Sequence, residues 1–263
     1  MVLFFSSFIL ISGISLFPLV ALVLTTWLLT RFVDRRPLDS VGLALEGAAA
    51  RQFAVGMVFG ALLLVAAVVL IGFWGSWQLS AGNVSENAVG VLLFYTLVHL
   101  NIATLEELLA RGYVLQTLLE GLGPVPAVLL SALGFAAFHL DNPHLTAISL
   151  LNLSLAGVFL GSLVLKTRSL WMATGFHFTW NLVQGHALGL PVSGILLDDY
   201  WVKLQLEGPR WLSGGAFGPE GSALTSVVLL VATLGLWRAP WPRPGPKARA
   251  LWQEYVWPRG RAS

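Results

Sequence analysis

The stretch Asn87-Ala-Val-Gly-Val-Leu-Leu-Phe-Tyr-Thr-Leu-Val-His99-Leu-Asn-Ile-Ala-Thr-Leu105, followed at once by Glu106-Glu107-Leu-Leu-Ala-Arg111, decides how the chain is read. Its uncharged part has the length of one bilayer crossing, which takes about 20 mostly apolar residues. Runs of the same kind recur at 1–30, 52–85, 121–140, 142–165, 169–197 and 221–237. Pro124, Pro143, Gly189-Leu-Pro191 and Gly218-Pro219 punctuate them. The pattern predicts an all-α, polytopic transmembrane bundle of about seven spans (six to eight), in one integral membrane domain over 1–263.

Composition agrees. Of 263 residues, 56% are hydrophobic and 11% charged, and the mean hydropathy is +0.78. A soluble domain carries about 25% charged residues. So few charges cannot solvate a soluble globule of this size, which excludes a soluble enzyme, a disordered chain and a nucleic-acid binder. The absence of cysteine excludes disulfides and thiolate metal sites. The first run has no early Lys or Arg and no clear small-residue cleavage site, and reads as a retained span rather than a signal peptide.

Basic residues set the orientation. Arg31, Arg35, Arg36 and Arg51 follow the first span. Lys166 and Arg168 separate the fifth from the sixth, and six more, from Arg238 to Arg261, follow the seventh. With the N-terminus outside, these loops are all cytoplasmic, and only Lys203 and Arg210 fall on the other side. The expectation is a multi-pass cell-membrane protein, N-terminus out and C-terminus in. The 238–263 tail, with Trp, Tyr and Arg interspersed, suits the headgroup layer of the bilayer that is this chain's first partner. The 189–220 segment reads as an outer loop with a short interfacial helix. No internal repeat supports a transporter.

Three charges break the pattern. Within a membrane each costs about 2.5–3.5 kcal/mol on insertion scales, so Glu106, Glu107 and Arg111 together call for a reason. Glu107 and Arg111 stand i,i+4 and can pair, whereas Glu106 and Arg111 are roughly 140° apart around a helix. Geometry therefore assigns Glu107 and Arg111 to structural support and leaves Glu106 free for chemistry. Two further spans carry Phe135-Ala-Ala-Phe-His139 and His177-Phe-Thr-Trp-Asn181, whose His and Asn share a helix face. Counted from the cytoplasmic ends, the four polar groups lie roughly 12–22 Å deep and can share one layer. A straight helix from 87 to 120 would be about 50 Å long, too long for a 30 Å core, so a bend or an interfacial stretch after Arg111 is expected. His99, His144 and His186 sit in no motif and read as helix-packing glue. Phe135, Phe138 and Trp180 read as packing residues.

Glu-Glu-x-x-x-Arg, then Phe-x-x-x-His, then His-x-x-x-Asn, each on an apolar span, resembles the CPBP family, which includes the type II CAAX prenyl endopeptidases and the Abi-type membrane proteases. Leu170-Trp171 before the third motif and His139-Leu-x-Asn142-Pro143 after the second add to the resemblance. It covers a catalytic core of about 95–190. It implies an all-helical intramembrane protease in which Glu106, His139, His177 and Asn181 are the catalytic residues. The turn Leu118-Leu-Glu-Gly-Leu-Gly123 lacks the basic residues frequent there in relatives.

Such chemistry needs an activated water and an oxyanion site. Glu106 with His139 can deprotonate the water, and His177 with Asn181 can stabilise the oxyanion. The competing reading is zinc or another divalent metal on Glu106, His139 and His177. Asn is a poor zinc ligand and no His-Glu-x-x-His helix exists, so a cofactor-free mechanism is preferred. The implied partner is a membrane-associated peptide or protein. The compact length and short loops look bacterial, which makes a bacterial membrane or signalling peptide a better guess than a prenylated one. The rivals are a non-catalytic scaffold or bacteriocin-immunity protein of the same fold, and a proton-coupled transporter.

Overall fold

The computed structural model describes residues 15–256. Half of the first apolar run and the Arg259 and Arg261 end of the tail lie outside the described residues. The chain is mostly helical. Among the described residues, three helices are long and apolar enough to cross a membrane: Gly47–Trp74, the composite Ala88–Leu122 and Ala147–Thr167. Shorter apolar helices cover Phe17–Val33, Pro124–Ala137 and Ala223–Arg238.

The elements are α1 (Phe17–Leu28), α2 (Gly47–Trp74), β1 (Ser76–Asn83), α3 (Ala88–Glu107), α4 (Leu115–Leu122), α5 (Pro124–Ala137), α6 (Ala147–Thr167), α7 (Trp171–Leu182), β2 (Tyr200–Glu207), α8 (Arg210–Ser213), α9 (Ala223–Arg238) and α10 (Pro246–Leu251). Local chemistry explains several boundaries. Pro starts α5 and α10, where its missing N–H costs nothing. Thr146 and Ser149 form a reciprocal capping box at α6, and Ser222 caps α9.

At the centre lies α7, buried almost all round and packed most extensively on α2. Gly56 and Gly60, one turn apart on α2, let the two backbones touch. A Cβ at either would overlap the carbonyl of Met172 or Phe176, and Gly175 answers from the other side against Phe53. Small residues at this spacing are the usual means of close helix contact in membranes, where dispersion rather than water exclusion drives packing.

Charged groups gather at one end of the bundle. Arg36 meets Asp34 at 3.2 Å and Glu120 at 2.7 Å, and Lys247 meets Asp39 at 2.6 Å. Glu46 accepts from the backbone N–H of Lys247 and Ala248. Lys166 donates to the carbonyls of Leu236 and Ala239, both at 2.6 Å, capping the end of α9.

The opposite end departs from an all-α reading. The 52–85 run is not one span: its helix stops at Trp74, and residues 76–83 pair antiparallel with 200–207 in a two-stranded ribbon. Thirty-four helical residues would far outrun the bilayer, and Trp77-Gln-Leu79-Ser-Ala81 alternates with period two, as a half-buried strand does. The 189–220 segment contributes the partner strand, and its one α-helical turn is the four-residue α8, followed by 3-10 turns at Gly215–Phe217 and Pro219–Gly221.

Candidate active site

The first motif lies where α3 changes winding. After Glu107 the helix continues as a π segment, Leu108–Val114, before α4 resumes the ordinary pitch. The helical path therefore runs on without interruption to Leu122. π segments are rare and concentrate at functional sites.

Arg111 Nη1 donates to Glu107 Oε1 at 2.8 Å, and both side chains are fully buried. The guanidinium also lies 4.2 Å over the Phe135 ring. The same Glu107 oxygen takes a second bond, from His177 Nδ1 at 3.0 Å. Glu107 thus holds a helix from the first motif and one from the third.

Glu106 points the other way. It keeps 17% exposure, and its Oε2 has no hydrogen-bond partner. Two imidazole nitrogens converge on that oxygen: His177 Nε2 at 3.8 Å and His139 Nε2 at 3.9 Å. The tautomer of His139 follows from its other nitrogen. Nδ1 lies 2.8 Å from the carbonyl of Phe135, which can only accept, so Nδ1 carries a proton, and in the neutral ring Nε2, the nitrogen facing Glu106, is the acceptor. The ring of Phe135 forms a floor between the histidines, with centroids 4.8 Å from His139 and 6.0 Å from His177.

His139 lies just past the end of its helix. Helix α5 ends at Ala137, and His139 occupies the turn that follows, with its N–H on Ala136 and its carbonyl accepting from Asn142. His144 also departs from expectation: it is exposed on this turn, with φ +62°, rather than packed between helices.

Glu106, His139, His177 and Asn181 line one cavity of about 270 Å³. Its walls are mainly apolar, from Phe94, Val98 and Ile102 on α3 to Leu153 and Leu160 on α6. Trp180 lines it too, stacked on Phe176 at 5.7 Å. Among the described residues, no group of three or more His, Cys, Asp or Glu side chains has the geometry of a metal site.

One carboxylate in this cavity escaped the sequence reading. Glu220, in the short turn Pro219–Gly221 before α9, accepts from the backbone N–H of Ser193 at 2.6 Å and from its hydroxyl at 2.9 Å. Burial pushes its carboxyl above the usual carboxylate range, against the opposing pull of the Ser193 hydrogen bonds and of His139 nearby. Ser193 holds a left-handed φ of +47°, and its carbonyl accepts from Asn142 at 3.0 Å. A strap around residue 193 is thereby tied to the turn that carries His139. Gly218-Pro219 read only as punctuation, and nothing local tells that the carboxylate of Glu220 beside it folds inward.

The chain matches no curated protein and no solved structure at a significant level. A family model, described as type II CAAX prenyl endopeptidase Rce1-like, matches residues 88–183, from the first turn of α3 to just past α7. That segment supplies Glu106, Glu107, Arg111, His139, His177 and Asn181, and its match is consistent with a CPBP-family intramembrane protease.

Proposed function

We propose that the protein is an intramembrane endopeptidase that hydrolyses a peptide bond in a membrane-associated peptide or protein. The observation that carries this reading is the convergence of His139 and His177 on an unpartnered Glu106 oxygen inside a largely apolar cavity.

In this mechanism a water sits between Glu106 Oε2 and His139 Nε2, donating to both. Hydrogen bonds of about 2.8 Å from one oxygen to each readily span their separation. Glu106 takes a proton as the water oxygen attacks the scissile carbonyl carbon, and later gives it to the leaving amine nitrogen. His177 has its Nδ1 proton committed to Glu107. To donate to the developing oxyanion it carries a second proton at Nε2, and Glu106 and Glu107 together balance this charge and that of Arg111. Asn181, one turn further along α7, supplies the second donor. Glu107 and Arg111 position this group without touching substrate.

The spacing favours water over a metal. Tetrahedral zinc with ligands at about 2.0–2.1 Å brings its donors roughly 3.4 Å apart, closer than the pairs around Glu106. Elemental analysis of active protein decides the matter: one zinc per chain, with activity lost on chelation and restored by zinc, overturns the cofactor-free reading.

We place seven apolar segments across the cell membrane, with the charged end of the bundle and the C-terminus in the cytoplasm. A C-terminal reporter that is active only outside the cytoplasm must then stay silent. The protease reading is tested by mass spectrometry of membrane peptides from cells carrying wild-type protein or Glu106→Ala. Cleavage products that vanish in the variant support it. Identical peptide profiles leave the scaffold reading in its place.

A further inference from the structure

The ribbon has two unlike faces. Antiparallel partners point to the same side, and the register sets Trp77, Leu79 and Ala81 opposite Leu206, Leu204 and Val202. The other side carries Ser76, Gln78 and Ser80 opposite Glu207, Gln205 and Lys203. Every residue of the first set is apolar and every residue of the second is polar or charged.

The apolar face is covered along one strand only. Leu204 is buried, and Val202 and Leu206 are half-buried against the body of the protein, where Leu204 N–H donates to the Leu188 carbonyl. On β1, Trp77 remains 59% exposed and Leu79 69% exposed. One strand therefore rests on the bundle, and the other overhangs its edge with apolar side chains.

The place of this overhang identifies its cover. β1 begins two residues after α2, a helix long and apolar enough to cross a membrane, comes to its end. The last turn of that helix exposes Phe73 and Trp74, and Trp211 is exposed just beyond β2. Trp at the end of a span marks the boundary between acyl chains and headgroups. An apolar strand that leaves this boundary and stays beside it meets lipid, while its Ser, Gln, Lys and Glu side meets water. A two-stranded ribbon is only marginally stable alone, so a supporting surface under β1 also serves the pairing.

We propose that the 76–83/200–207 ribbon is a membrane-surface anchor, whose apolar face along β1 lies in the lipid headgroup–acyl boundary. It is independent of the protease reading. It also fixes the strap, because Asn83 Nδ2 donates to the Asp198 carbonyl at 2.8 Å and Ser85 N–H to Asp199 Oδ1 at 3.0 Å.

The chain has no cysteine, so single labels can be read without background. Trp77→Cys, Gln78→Cys, Leu79→Cys and Ser80→Cys are labelled with an environment-sensitive fluorophore. Each is reconstituted, as the full chain, in phosphatidylethanolamine–phosphatidylglycerol vesicles, after monodisperse elution has shown that it folds. Labels at 77 and 79 should emit at shorter wavelength, resist aqueous iodide and be quenched by nitroxide lipids with the nitroxide near the headgroup. Labels at 78 and 80 should show the reverse. Equal iodide quenching at all four positions overturns the proposal. So does protection at 77 and 79 that comes with label-to-label contact between copies, which would make the cover a second molecule.

Discussion

His177 Nδ1 donates to Glu107 Oε1 at 3.0 Å, so the glutamate that the i,i+4 rule assigns to Arg111 also orients a candidate catalytic imidazole. Without that acceptor, His177 loses the partner that orients its ring and helps to balance its charge. Glu107→Gln keeps the volume but offers only a neutral amide. Turnover of a reporter peptide should fall by about 10²-fold or more, the usual cost of losing one oxyanion donor, with KM little changed. Glu107→Ala should in addition destabilise the protein by about 3–5 kcal/mol, since it leaves a buried Arg111 uncompensated. Unaltered turnover in Glu107→Gln would show that His177 does not act through this bond.

Glu106→Gln and His139→Ala should abolish cleavage while the fold persists. For Glu106 the physical reason is direct: the Oε2 atom makes no hydrogen bond, so replacing it breaks none. Thermal unfolding in detergent should give a midpoint at or above that of wild type, alongside zero turnover. Residual turnover in either variant contradicts the assigned roles.

His99 lines the cavity wall two turns before Glu106, stacked on Tyr95 with centroids 6.1 Å apart. Neither ring nitrogen has a hydrogen-bond partner. A buried polar group left unmatched costs about 1–3 kcal/mol. His99→Phe, of similar shape, should therefore stabilise the protein and raise the unfolding midpoint by a few degrees. A lowered midpoint would mean that the imidazole holds a bond invisible in this geometry.

Glu220 carries a pH dependence. Its folded-state pKa is raised, so the folded protein binds this proton more tightly than the unfolded chain. The associated stability is fully present below the ordinary carboxylate range of about 4, and is lost as pH rises through the elevated folded value. Glu220→Gln, which keeps an acceptor for Ser193, should flatten the wild-type decline of the unfolding midpoint over that window. Parallel curves for the two proteins would assign the decline to other groups.

Hydropathy made the helical membrane character plain, because an apolar run of bilayer length has few other uses. Simple helix geometry also separated the two glutamates, since Glu107 and Arg111 lie on one face and Glu106 does not. What escaped depends on partners distant in sequence. The ribbon joins residues on either side of the whole core, and Leu79 finds its role only opposite Leu204. Hydropathy counted Trp77-Gln-Leu79-Ser-Ala81 as more span, although its alternation was there to see. The turn at His139 was hidden by an unbroken apolar run, and the inward carboxylate of Glu220 by loop-like neighbours. Helix propensity and hydropathy report the solvent of a segment, while the ends of elements follow from which backbone groups find other partners.

The π segment at Leu108–Val114 makes residue count, and not only residue type, part of the site. Deleting one residue there would leave composition and hydropathy nearly untouched, yet would turn everything before it by about 100° relative to everything after it. Glu106 would then turn relative to α4 and to α5 packed on it, the helix that leads to His139. The segment is a phase setter between two lengths of one rod. The coupling of the free glutamate to its buried ion pair is thus more sensitive to a single insertion or deletion than to many conservative replacements.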